Sequence, residues 1–283
     1  MSASIDNLIN VNFTKGRNDL LNFGLNLGGK GQHKPAPFSP IQLFLQGEQG
    51  AWYNPGDLSS LFQDSAGTVP VTADGDPVGR MLDKSGNGNH ATQSVSGRRP
   101  VYRTDGTLHW LQPDGVDDNF LVQNKAFNLN TFSALCATEI GSNTNQRVYD
   151  TRGTGTVGDA KGFQLKPYRN TFNDGYVVDE TNGVNNLSIP ATSSASTKVT
   201  LATYVFQGEM RLQENGALSG SIAASFEDIL STLESVMFAN SNGQNIQLFN
   251  GRYYGGFVVG RVISEGEKNE SDQYFASLSG ITI

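Results

Sequence analysis

Asp83-Lys84-Ser85-Gly86-Asn87-Gly88-Asn89-His90-Ala91-Thr92, followed by Asp114-Gly115-Val116-Asp117-Asp118-Asn119-Phe120-Leu121-Val122, decides the fold. Each half sets turn residues directly before an apolar stretch. In the first, Ser85-Gly86-Asn87-Gly88-Asn89 supplies residues that tolerate φ > 0, and His90-Ala91-Thr92-Gln93 then reads as a strand. In the second, Pro113-Asp114-Gly115 is a turn, and Asp118-Asn119 leads into the short strand Phe120-Leu121-Val122. Short strands entered through Gly, Asn and Asp turns are the pattern of a β-sandwich.

The same pattern continues on both sides. Candidate strands are 79–83, 90–94, 108–112, 120–123, 132–140, 147–151, 162–167, 176–179, 199–206, 210–214, 220–222, 236–240 and 251–263. This density of short strands suits a sandwich or jelly roll, and the absence of a fixed repeat disfavours a propeller or solenoid. Asn215-Gly216 between alternating segments signals a hairpin, because a type I′ turn needs φ > 0 twice. Ahead of the first strands, Trp52-Tyr53 reads as an aromatic strand end feeding a short helix. Asn54 is its expected cap, Pro55 its first residue, and Leu58, Leu61 and Phe62 its core face. Near the C-terminus, Ser264 and Glu267 have capping-box spacing, and Tyr274, Phe275 and Leu278 give that helix an apolar face.

At 283 residues the chain suffices for one large β domain or two small ones. Hydrophobic residues make up 37% and charged residues 17%, enough apolar side chain to form a core. Glycine outnumbers proline 33 to 10, which suits tight turns over long helices. With 20 basic and 27 acidic residues the net charge is −7, so no domain-wide basic surface is available for nucleic acid. No apolar run approaches the roughly 20 residues that span a bilayer. Asp6 interrupts the N-terminus, which reads without a signal peptide, so a soluble chain made in a cytoplasm is expected. The single cysteine, Cys136, excludes an intrachain disulfide. It lies in an alternating strand with no histidine nearby in sequence and reads as a small buried hydrophobe, not a nucleophile.

The two stretches quoted first resemble the laminin-G-like or concanavalin A-like jelly rolls, whose strands commonly read D-x-S-G-N-x-N-H/x-A and later D-G-x-D-D-x-L. Residues 200–218, with the Asn215-Gly216 turn, are similar to the usual hairpin of those domains, except that Gln213 stands where an aromatic residue or valine is common. The phrasing is similar to a group of virion proteins of tailed bacteriophages, in which Gly47-Glu48-Gln49-Gly50-Ala51-Trp52-Tyr53, Asp57-Leu58-Ser59 and Leu61-Phe62-Gln63-Asp64 also recur. The resemblance covers the chain from about Leu43 onward. It implies an all-β, concanavalin A-like jelly-roll sandwich with an extended N-terminal arm and a short C-terminal helix. It also implies a structural virion protein, a capsid decoration or tail accessory made in the host cytoplasm. Its expected partners are other virion proteins, in a homo-oligomer or multicopy assembly, and host glycans. Neither nucleic acid nor membrane is among them.

Residues 1–42 lie outside that resemblance, which divides the chain into an arm and linker (1–42) and a jelly-roll domain (43–283). Ile5, Leu8, Ile9, Val11, Phe13, Leu20, Leu21 and Phe23 form an apolar series ahead of Gly28-Gly29-Lys30-Gly31 and Pro35, Pro37 and Pro40. Such a segment either packs on its own domain or adds a strand or plug to a neighbour. The second role makes it the expected attachment arm.

Several groups were weighed for chemistry. Glu209 and Glu214 have the end-to-end spacing of the E-x-D-x-x-E strand of the β-glucanases of this fold, which places two carboxyls about 5 Å apart. Arg211 occupies the middle position, however, and Glu214 abuts a turn, so two solvated hairpin carboxylates are expected. His33, His90 and His109 show no metal-ligand spacing, no G-x-S-x-G elbow exists, and Gly153-Thr154-Gly155-Thr156-Val157-Gly158 opens no helix. Asp114, Asp117 and Asp118 can supply oxygen ligands to Ca²⁺, although such carboxylates more often accept turn N–H groups. Trp52 can stack on a sugar but reads first as a core plug. Tyr168, Asn170, Asn173, Asp174 and Tyr176 read as an aromatic, amide-rich loop suited to sugar hydroxyls. No catalytic residue, cofactor or glycan-binding set is assigned from the sequence. A non-enzymatic display or glycan-binding domain is the expectation, and a glycan hydrolase is largely rejected.

Overall fold

The structure, a computed structural model, describes residues 37–141, 146–151, 162–169, 172–179, 183–190, 198–206, 208–224, 234–239 and 248–283. The compact unit that carries the sandwich runs from Phe38 to Ile283. That unit begins ahead of the 42/43 division read from the sequence, because Phe38, Ile41, Leu43 and Phe44 pack in one cluster with the C-terminal helix. The arm side chains Ile5, Leu8, Ile9, Val11, Phe13, Leu20, Leu21 and Phe23 lie outside the described residues.

Two antiparallel sheets form the unit. Along the eight-stranded sheet run β15 (Ala217–Ala224), β14 (Gly208–Glu214), β13 (Lys198–Phe206), β8 (Phe132–Ile140), β17 (Gly251–Val259), β6 (His109–Gln112) and β5 (Val101–Thr104). Its eighth strand, β1 (Gly50–Tyr53), pairs with the end of β17 that β6 leaves open. The nine-stranded sheet runs β12 (Gly183–Pro190), β11 (Phe172–Asp179), β10 (Gly162–Arg169), β9 (Tyr149–Asp150), β16 (Ser235–Met237), β7 (Phe120–Val122), β4 (Ala91–Thr92), β3 (Arg80–Met81) and β2 (Leu61–Phe62). One α-helix, α1 (Glu265–Ser279), follows β17. This is the expected all-β sandwich with its C-terminal helix.

Period-two alternation sorts side chains between the two faces of the eight-stranded sheet. On β8, Phe132, Ala134 and Cys136 enter the main core with Tyr149, Phe163, Phe238 and Tyr253, while Leu135 and Ala137 join Trp110, Tyr254, Phe257 and Phe275 in a second cluster. The second cluster is the outer face, covered by α1 and residues 38–44. Cys136 is a fully buried free thiol, as its strand position predicts. Leu212 is likewise fully buried in the main core. Leu212→Ala is therefore expected to lower the unfolding free energy by about 2–4 kcal/mol in a denaturant titration; a loss well under about 1 kcal/mol would contradict its core role.

The hairpin and helix signals fold as read. Asn215 (φ 49°) and Gly216 (φ 78°) form the turn, and Glu214 pairs with Ala217 across it. Ser264 Oγ accepts from Glu267 N–H while the Glu267 carboxylate accepts from Ser264 N–H, a complete capping box. Arg261 grips the same carboxylate (2.6 Å) and also reaches Glu48 (3.1 Å). The Arg261 hydrogen bond is the main cause that holds the Glu267 carboxyl down at about 2. A lowered folded-state pKa gives stability that is present above the unfolded value and lost as pH falls. Melting curves should therefore show wild type losing its advantage over Glu267→Gln between about pH 4.5 and 2. A constant gap across that window would count against the pairing.

Three local expectations are corrected. Pro55-Gly56 is a turn; the helical piece is a single 3₁₀ turn, Leu58–Ser60, capped by Asp57, whose Oδ1 accepts from Ser59 N–H (3.1 Å). Asn54 instead makes its own turn, Oδ1 accepting from Gly56 N–H (2.8 Å), and Leu58 is exposed. Strands β5 and β12 form where none was expected. In β12, Asn185 and Asn186 pair with Val177 and Tyr176 of β11.

Candidate functional site

Helix α1 and the β14–β15 turn are tied where Lys268 Nζ donates to Gly216 O (3.4 Å). Between them lies a cleft of about 400 Å³, lined by Asn215, Gly216 and Ala217 on one side and by Asn269, Asp272, Gln273 and Ile283 on the other. That volume falls within the roughly 300–1,000 Å³ range of small-molecule sites. Asn269 and Gln273 stand one helical turn apart and are exposed, so their amides can both donate and accept. Asp272 is 2% exposed, and its Oδ2 is buried with no hydrogen-bond partner among the described residues. Burial is the main cause that pushes its carboxyl up to about 6; Lys268 opposes the shift and Glu265 adds to it. An unpaired buried carboxylate oxygen is among the costlier defects a fold carries.

A second cleft, lined by Asn54, His109, Tyr254, Ser277 and Leu278 among others, measures about 80 Å³, below the roughly 300 Å³ at which small-molecule sites begin.

The sequence candidates disperse. The ligand atoms of Asp114, Asp117 and Asp118 lie within 4.8 Å of one another. Their carboxylates are used locally: Asp114 Oδ1 accepts from Val116 N–H (2.8 Å) and Asp117 N–H (3.2 Å), and Asp118 Oδ2 accepts from Asp114 N–H (2.9 Å). Burial, reinforced by the two neighbouring carboxylates, raises Asp118 to about 6. Asp117 in turn faces Arg98 (3.6 Å), so the three carboxylates have the partners of an ordinary turn.

Glu209 pairs with Arg211 (2.9 Å), whose hydrogen bond lowers its pKa. Glu214 is buried rather than solvated, because it closes the hairpin between Leu201 and Ala217. His90 Nδ1 accepts from Asp83 N–H (3.1 Å), and His109 Nδ1 meets the Tyr102 hydroxyl (2.5 Å). Both rings serve the fold. Trp52 is a buried plug, with Tyr274 edge-on to its ring and Lys84 Nζ 5.4 Å from its centre. Asn173, Asp174 and Tyr176 belong to β11 rather than to a loop, while Asn170, His33 and residues 153–158 lie outside the described residues. None of the candidates named from the sequence lines the Asp272 cleft, which joins residues far apart in the chain.

No protein-family model and no curated protein matches the chain. Solved structures do. Domain 4 of AbnA, an extracellular arabinanase from Geobacillus stearothermophilus in complex with arabinotriose, superposes with a TM-score of 0.55 at 12% identity, covering 79% of this chain and 98% of that domain. The binding domain of Paraclostridial Mosquitocidal Protein 1 gives 0.53 at 15% identity, over 72% of this chain and 51% of the other. The receptor-binding domain of botulinum neurotoxin type G gives 0.50 at 15% identity, over 69% and 49%. The match thus spans about half of each toxin domain and nearly all of the arabinanase domain. At such identities these likenesses establish one thing: the chain has the β-sandwich fold that these binding domains use.

Proposed function

We propose that the chain is a glycan-binding β-sandwich module that binds without catalysing. The observation that carries this reading is the cleft between α1 and the Asn215-Gly216 turn, where amides and a buried carboxylate converge. Sugar hydroxyls donate and accept at once, and the side chains that match them are amides and carboxylates. The Asp272 Oδ2 lone pairs call for a donor, which a hydroxyl supplies. Hydrolysis with retention would need a second side-chain carboxyl about 5 Å away, whereas Asp272 is the one acidic side chain lining this cleft among the described residues. The arabinanase domain, solved with arabinotriose, supports the reading through its shared fold. The sequence resemblance further supports a place on a phage particle, with residues 1–42 and the apolar series from Ile5 to Phe23 as the attachment.

The test is a glycan array probed with the full chain and with the Asn269→Ala/Gln273→Ala variant, whose changes are confined to exposed side chains. Binding that falls at least about tenfold in the variant, or about 1.4 kcal/mol, is the expected result. Saccharide binding unchanged by the double substitution would remove the cleft from consideration.

A further inference from the structure

The chemistry of the cleft narrows its ligand, on the premise that the chain binds glycans. Charge at this corner is already matched or negative. Lys268 Nζ is held by Glu265 (3.4 Å) and by Gly216 O, and Arg211 by Glu209 (2.9 Å), with Glu265 at 3.9 Å. Both cations are therefore spoken for, and Asp272 has no ion pair of its own among the described residues. On the facing wall Asn215, Gly216 and Ala217 bring no charge. A Cβ at position 216 would stand 3.6 Å from Asp272 Oδ2, in ordinary van der Waals contact, so the turn lies directly beside the carboxylate.

We propose that the Asp272 cleft selects neutral saccharides and excludes sialylated, uronic or sulfated ones. A hydroxyl donates to the Asp272 carboxylate, and the Asn269 and Gln273 amides bind the hydroxyl beside it. An acidic sugar would set its own anion against Asp272 with no unengaged cation among the described residues to receive it, and like charges so close repel. The carboxylate is kept at a cost to the free fold: burial disfavours its charge, and among the described residues no donor satisfies its Oδ2.

The experiment uses the full chain on an array carrying neutral, sialylated, uronic and sulfated saccharides, with Asp272→Asn and Asn269→Ala beside it, and thermal melts of each. The expected result is a set of neutral hits whose affinity falls at least about tenfold in Asp272→Asn, while the Tm of that variant stays level or rises. A rise alongside lost binding is what a purely structural aspartate would not give. An acidic saccharide whose binding is lost in Asn269→Ala would overturn the selectivity and leave the glycan reading standing. Neutral binding indifferent to both substitutions would place the site elsewhere and overturn the proposal. If Asp272→Asn melts early, Asn269→Ala, at an exposed position, decides whether the cleft is used. An array with no hits would overturn both the proposal and the glycan reading beneath it.

Discussion

Asp83→Ala is expected to destabilise the fold by more than about 4 kcal/mol. The reason lies in the edge of β1. Among the described residues that strand pairs with β17 alone, through one side of its backbone, leaving the outward groups of Gly50 and Trp52 without a neighbouring strand there. The turn after β3 supplies what a strand would. Asp83 Oδ1 accepts from Trp52 N–H (3.0 Å) and from Ser85 N–H (2.8 Å), and Oδ2 accepts from Ser85 Oγ (2.7 Å) and Asn89 N–H (3.0 Å). Lys84 N–H donates to Trp52 O (2.8 Å), while the Asn87 and Asn89 side-chain amides both donate to Gly50 O. Tyr53 from the same strand then donates its hydroxyl to Asn89 O. The turn is therefore the clasp between the sheets: β3 and β4 flank it in one, and β1 lies in the other.

Removing a buried carboxylate that accepts four bonds strands several N–H donors, each worth about 1–3 kcal/mol when left unpaired, with shared partners that make the losses less than additive. Urea or guanidinium titration measures the effect. A loss below about 2 kcal/mol would show that water replaces the carboxylate, and the clasp would then be incidental. Asp83→Asn, which keeps one acceptor, should fall between wild type and alanine.

The reach of this clasp to Trp52 and Gly50, 31 to 39 residues away, was not legible in the sequence. The turn within it was, because Asp83 and Ser85 bond locally and Gly86 (φ 94°) and Gly88 (φ 74°) adopt the left-handed backbone that their type suggests. The Asn215-Gly216 hairpin and the Ser264–Glu267 cap were legible for the same reason. Where tertiary partners override local preference, the reading failed. Strand β12, where no strand was expected, forms because β11 supplies its ladder. The helix expected from Asn54-Pro55 shrinks to a 3₁₀ turn for a local reason: Gly56 N–H donates to Asn54 Oδ1. The cleft was invisible for a stronger reason. Asn215 and Gly216 carry an ordinary turn signal and Asn269 to Gln273 an ordinary polar helix face. Only the docking of α1 on the hairpin turn makes them one surface. A faint signal was present: Asp272 falls between Ser271 and Phe275 on the buried side of a helix, where a carboxylate has no structural reason to be.

Gly256→Ala is expected to cost more than about 4 kcal/mol or to prevent folding outright. Gly256 lies in β17, between Cys136 of β8 and Tyr53 of β1, so both backbone edges are engaged. A Cβ there would overlap Tyr149 Oη and Leu135 O, and it would press on Cys136 Cα at 3.0 Å. The glycine is required for space, not for conformation. It admits the Tyr149 hydroxyl, which donates to Leu135 O (3.2 Å) and meets Tyr253 Oη (2.9 Å) at the centre of the main core. Burial holds both phenols well above their ordinary pKa, so the pair stays neutral and binds through hydrogen bonds alone. Overpacking by a methyl typically costs about 1–3 kcal/mol. Here the displaced atoms also belong to a buried hydrogen-bond network, which adds the cost of unpaired groups. Combining Gly256→Ala with Tyr149→Phe separates the two terms. Deleting the hydroxyl removes the nearest clash but not Leu135 O, so the double variant should recover part of the loss, giving a coupling of about 0.5–3 kcal/mol in a double-mutant cycle. Strict additivity would mean that the methyl is resisted by the β8 backbone alone and that the phenol does not depend on the glycine.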